Sequence, residues 1–110
     1  MTNFDACIIN LTPHDLNIVH GDLITIVKAE NTPARVSSKV EVIGYLNNGI
    51  PLYDTVYGEV IDLPQPQDGV IYVVSRIVKN CVPDRKDVLV PGNLLRDDKG
   101  NVIGCNGLSY

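Results

Sequence analysis

Two alternating runs of similar length flank the tripeptide Asn47-Asn48-Gly49, and no other feature constrains the fold as strongly. Asn and Gly accept positive φ at little cost, so the chain reverses direction there. On one side, Arg35 to Leu46 puts Val40 and Val42 on one face and Glu41, Ile43 and Tyr45 on the other. On the other side, within Ile50 to Leu63, Tyr53, Thr55, Tyr57 and Glu59 alternate against Asp54, Val56, Gly58 and Val60. A period of two is the signature of a strand. The pair predicts a long antiparallel hairpin, with Gly58 marking a bulge or a close backbone approach.

The same logic organises the rest of the chain. Leu16–Val19 and Leu23–Lys28, divided by His20-Gly21-Asp22, read as a second hairpin. Val88–Val90 reads as a short strand ended by Pro91-Gly92, and Asn93–Arg96 as another. Asp97-Asp98-Lys99-Gly100 turns the chain, and Asn101–Cys105 pairs back. Ala6–Leu11 is a short apolar run. Thr12-Pro13-His14-Asp15 reads as a turn or one helical turn, with Thr12 as cap, Pro13 at the first helical position and Asp15 completing a capping box. Val70–Ser75 is almost continuously apolar and β-prone, which predicts a central strand buried on both faces. Arg76–Cys81 follows as a short helix, stopped ahead of Pro83. The expected class is α+β: a mostly antiparallel β-sheet with one short helix after the strand ending at Ser75. No repeat or boundary divides residues 1–110, which read as a single domain.

Composition limits what such a domain does. Nine basic and thirteen acidic residues give a net charge of −4, with no basic run, so a nucleic-acid polymer is not an expected partner. The longest apolar runs are too short to span a bilayer. Met1 to Ala6 carries neither a basic nor an apolar leader region, so a cytoplasmic location is expected. Cys7, Cys81 and Cys105 are odd in number and lack C-x-x-C spacing, which argues against a disulfide framework or a structural zinc site and for buried thiols. Without export, the Asn10-Leu11-Thr12 glycosylation pattern carries no weight.

Few residues offer chemistry. His14 and His20 are the only histidines; His14 serves as a base or ligand, or fixes a turn, and the second reading is favoured. Ser75 sits where a strand gives way to a helix, a position that binds phosphate or merely caps the helix. Arg85 and Arg96 offer planar forks for phosphate or carboxylate, and Asp84, Asp87 and Asp97 could accept ribose hydroxyls; surface charge and turn formation are the commoner roles. Tyr45, Tyr53, Tyr57 and Tyr72 could stack on a base, but the scarcity of Phe and Trp draws Tyr57 and Tyr72 to the core. No nucleophile elbow, Walker loop or EF-hand spacing is present. No enzymatic activity, cofactor or metal is expected.

Taken in order, several segments resemble a family of small hypothetical proteins from phages and prophages. They are the Asn10-Leu11-Thr12-Pro13-His14 opening, Gly58-Glu59-Val60 with Leu63-Pro64, and Tyr72-Val73-Val74-Ser75. Arg85, Asp87-Val88-Leu89 and Pro91-Gly92, then Arg96-Asp97, Gly100 and Ile103-Gly104-Cys105, complete the set. By size, context and chemistry the chain is also similar to the Thoeris anti-defence sponges, which capture cyclic ADP-ribose isomers in pockets of an oligomer. That similarity implies a viral anti-defence protein in the host cytoplasm. It would sequester a nucleotide second messenger of the cyclic ADP-ribose type without cleaving it, as a homo-oligomer. The implied ligand-binding residues are His14, Ser75, Arg76, Arg85, Arg96, Asp97 and Asn106. The alternatives are an enzyme degrading such a signal, with His14 as base helped by Asp84 or Asp87, and a phage structural or protein-binding module.

Overall fold

The computed structural model describes residues 6–110; Met1 to Asp5, where the leader reading mostly falls, lie outside this range. The strands are β1 (Cys7–Asn10), β2 (Leu16–His20), β3 (Leu23–Val27), β4 (Arg35–Tyr45), β5 (Pro51–Ile61), β6 (Val70–Val73), β7 (Val88–Arg96) and β8 (Val102–Ser109), with one helix, α1 (Arg76–Cys81). Among the described residues, no helix is long and apolar enough to cross a membrane.

Six strands form one curled sheet in the order β1-β6-β7-β8-β2-β3, and β4 and β5 form a separate two-stranded ribbon. The sheet curls until its two edges approach: Asn10 bridges Ala29, and the Glu30 N–H donates to Asn10 O at 3.0 Å. The architecture is therefore mostly β and closer to all-β than to α+β, because the single helix is only six residues long. The antiparallel expectation holds for the three hairpins β2–β3, β4–β5 and β7–β8. It fails for β1–β6, β6–β7 and β2–β8, which pair in parallel. Parallel neighbours are joined by crossovers, which local alternation does not reveal.

The Val70 strand is the central element it was expected to be, though it ends at Val73 and not at Ser75. Tyr72 and Val74 enter one core cluster with Leu11, Ala34, Val78, Val88 and Val90, while Val73 enters a second with Leu16, Ile18 and Cys105. The second cluster draws on strands around the curl. The first lies on the opposite face, beneath α1 and the base of the ribbon, where Val36 and Val60 pack against it. Pro91-Gly92 does not end a strand: β7 runs through it, pairing parallel with β6 at Val88–Leu89 and antiparallel with β8 from Val90 onward. Asn93 bends within it at φ +52.

Thr12 starts no helix. The fully buried Asn10 side chain turns the chain instead, its Oδ1 accepting from Thr12 N (2.9 Å) and Thr12 Oγ1 (2.7 Å), its Nδ2 donating to His14 O (2.8 Å) and Val27 O (3.0 Å). An Asn side chain that mimics a backbone turn in this way is an Asx-turn. All four of its hydrogen-bonding capacities are filled, which is what makes a fully buried amide tolerable.

The ribbon leaves the body as an arm. Overall extents of 56 × 39 × 29 Å and a radius of gyration of 17.4 Å exceed the roughly 13 Å of a compact chain of this length. Asn48 at its tip has φ +74, as the turn signal predicts. Gly58 serves both expected roles: β5 carries an extra residue there, and a Cβ on Gly58 would collide with Ser37 Oγ, which accepts from Glu59 N–H at 3.0 Å. A second irregularity at Ile43 flips the parity of β4, so Tyr45 shares the face of Val42 and not that of Glu41. Tyr57 lies on the exposed arm and not in the core, whereas Tyr72 is completely buried. Cys105 is buried as expected, but Cys7 at the start of an edge strand and Cys81 at the end of α1 are exposed.

Candidate functional site

A cleft of about 650 Å³ opens between the β1–β2 turn and β8. Its walls are Thr12 to Asn17, Ser75, Pro91 with Leu94, and Val102 to Cys105. These segments are distant in sequence, and the curl of the sheet brings them together. Asn10 positions the first wall: its amide and the Thr12 hydroxyl both reach His14 O, at 2.8 Å each, so the backbone of the turn is held while the His14 side chain stays exposed. The favoured turn-fixing role of His14 thus belongs to its carbonyl, and the imidazole is left available.

The opposite wall depends on Gly104. A Cβ there would stand 2.7 Å from Asn17 O, so only glycine lets β8 lie this close to β2. Asn17 Nδ2 donates across the gap to Ile103 O at 3.4 Å. Asp15, at the rim, accepts from Ala29 N at 2.8 Å and faces Lys28 Nζ at 3.3 Å. The Ala29 N–H, and secondarily Lys28, hold its carboxyl below the usual Asp range. Ser75 is half-buried at the N-cap position of α1, and its side chain makes no capping hydrogen bond. The cleft therefore has an apolar floor of Leu16, Leu94 and Ile103 with polar groups from His14, Ser75 and Asn17 at its edge.

Of the seven candidates, only His14 and Ser75 line this cleft. Arg76 follows Ser75 but turns away, donating from Nη1 to Tyr110 O at 3.2 Å. Arg85 is engaged within the body: its guanidinium grips Asp87 in a two-pronged pair (3.1 and 2.7 Å), donates to Pro64 O at 3.0 Å and lies 5.9 Å from the Tyr72 ring centre. That pair holds the Asp87 carboxyl below its ordinary range. Arg96 donates to Gly100 O at 2.9 Å, and Asp97 accepts from Lys99 N and Asn101 N; both build the β7–β8 turn. Asn106 is exposed on β8. Asp84 and Asp87, the expected helpers of a His14 base, are not among the cleft residues.

Sequence reasoning missed Asn17, Pro91, Leu94 and Ile103 as lining residues. The only signal for them was that Pro91 and Ile103 belong to the resemblance segments. A second cleft of about 690 Å³, lined by Lys86, Asp87 and Tyr110 among others, holds none of the seven except through the Arg76–Tyr110 contact. There, burial and then the nearby Lys86 push the Lys79 ammonium below its usual range, and its Nζ donates to Arg85 O at 2.8 Å. Among the described residues, no group of three or more His, Cys, Asp and Glu side chains could hold a metal ion. No family model, no curated protein and no solved structure matches the chain.

Proposed function

We propose that the chain is a viral anti-defence protein that captures a nucleotide second messenger of the cyclic ADP-ribose type in the cleft between the β1–β2 turn and β8. It releases the ligand unchanged and acts in the host cytoplasm as a homo-oligomer. One observation carries this reading: Thr12-Pro13-His14, Ser75, Pro91 and Ile103-Gly104-Cys105, all parts of the resemblance, converge on a single cleft. Its volume of about 650 Å³ suits a ligand of this size. An apolar floor accepts a base, and His14, Ser75 and Asn17 supply hydrogen bonds for ribose. The cleft walls contain no arginine and Arg76 is turned toward Tyr110 O, so the diphosphate would draw on an arginine of a second copy. Capture without turnover needs preorganised contacts and no activated nucleophile.

Titration calorimetry of the purified chain against cyclic ADP-ribose isomers tests the proposal. Binding is expected, weakened about tenfold or more in His14→Ala and Ser75→Ala, the loss of one well-placed hydrogen bond to a charged or polar ligand. No heat with any isomer overturns it. Conversion of the isomer to a product that His14→Ala abolishes would turn the reading to an enzyme.

A second reading, a phage structural or protein-binding module, is favoured by the projecting arm. It predicts a protein partner retained by the wild-type chain and no small ligand in the cleft.

A further inference from the structure

We infer that the β4–β5 arm is a self-association device: its apolar face packs against the same face of the arm of a second copy of this chain. The inference is independent of any small ligand. It begins with register. Pairing of Val36 with Val60, Ser38 with Tyr57, Val40 with Thr55, Val42 with Tyr53 and Tyr45 with Pro51 puts all ten residues on one side of the ribbon. At the base of that side, Val36 and Val60 pack against the body's core. Farther out the same side continues into solvent, with Val40 62%, Val42 49%, Tyr45 69%, Tyr53 61% and Tyr57 51% exposed. A core-facing surface has been extended past the core it faces.

The reverse side is mixed: it carries charge, but also the apolar Leu52 and Val56, 40% and 47% exposed. It presents Lys39, Glu41 and Asp54, and Lys39 pairs with Glu41 at 3.5 Å. What separates the two faces is charge: Lys39, Glu41 and Asp54 keep the reverse side in water, and the charge-free side is the one suited to burial. An isolated two-stranded ribbon is at best marginally stable, so the arm needs a covering layer.

The character of the face selects the occupant. From Ser38 and Tyr57 outward to the Tyr45–Pro51 pair it carries no charged residue. Two copies of a chain of net charge −4 can therefore bring these faces together without opposing like charges at the contact. The same surface offers no charge to pair with an acidic or basic partner and no cation for a nucleic-acid backbone. Its three tyrosines and two valines expose on the order of 500 Å², given that a buried aromatic side chain covers about 150–250 Å². Two such faces remove about 1,000 Å² in total, the lower bound for a specific interface. The packing is isologous, so it closes at two copies.

Light scattering and native mass spectrometry of the full chain read the outcome. The expected mass is twice the 12.0 kDa of one chain. Val42→Lys and Tyr53→Lys should each raise the dimer dissociation constant about a hundredfold, through burial of an unpaired charge. Asp54→Lys, on the reverse face, should leave it unchanged. Should either lysine variant misfold, hydrogen exchange of the unmodified chain decides, since amides of residues 38–57 should gain protection as concentration rises. A monomer up to millimolar concentration, a dimer indifferent to both lysines, or adsorption of the chain to phospholipid vesicles without self-association overturns the inference.

Discussion

Body and arm are written in the same code and end in opposite conditions. Both send successive side chains to opposite faces with period two. In the body, β6 and the residue that follows it send Tyr72 and Val74 one way and Val73 the other, and each side chain meets a covering layer. In the arm, Val40, Val42, Tyr53 and Tyr57 form an apolar face that meets none among the described residues. The difference lies in connectivity. The body's hairpins pair with further strands, and crossovers fold one part over another, whereas β4 and β5 pair only with each other. Alternation states that a face is to be covered, and topology decides whether the same chain supplies the cover.

The largest expected effect tests the body. Tyr72→Ala removes a completely buried ring and should cost about 3–5 kcal/mol, measured by denaturant unfolding, enough to unfold a marginal domain. Asn10→Leu comes next. It leaves Thr12 N without its acceptor, takes one donor each from His14 O and Val27 O, and should cost about 3 kcal/mol, with loss of order in the cleft's first wall. A change much below 1 kcal/mol would mean that water substitutes readily there. Gly104→Ala, which drives a methyl into Asn17 O, should cost about 1–3 kcal/mol and distort the cleft.

A smaller effect appears in acid. Asp87 has its folded pKa lowered by Arg85, so the folded state holds fewer protons than the unfolded chain as pH falls. Its contribution is complete above the unfolded Asp value near 3.9 and is lost as pH drops through the folded value. Asp87→Asn should therefore flatten the acid limb of a midpoint-versus-pH curve; an unchanged limb would show that the Arg85 pair is inert. The smallest effect belongs to the arm. In dilute solution Val40→Ala should shift stability by less than about 0.5 kcal/mol, as for other solvated surface positions. A core-sized loss there would show that the face is already covered under those conditions and would erase the contrast with the body.

What the sequence disclosed was local. The hairpins around Gly21, Asn48 and Gly100, the helix at Arg76–Cys81 and the doubly buried Val70 segment were legible because turn chemistry and periodicity act over a few residues. The parallel pairings, the continuity of β7 through Pro91-Gly92 and the parity flip at Ile43 depend on strands far apart in the chain or on one inserted residue. For the site, residue type was a partial guide. His14 and Ser75 reach the cleft, but Arg85 could be read as a free fork only until the fold set Asp87, Pro64 and Tyr72 around it. Tyr57 misled for the same reason as the rest of the arm: scarcity of other aromatics suggested a core, and the ribbon carried it past the core's edge.

The position of β6 has a thermodynamic consequence. Because consecutive residues of this one strand belong to opposite clusters, neither cluster survives without it, and neither can melt while the other stays intact. The two clusters share the stretch Val70–Val74, and calorimetry of the chain should show a single heat absorption whose van't Hoff and calorimetric enthalpies agree.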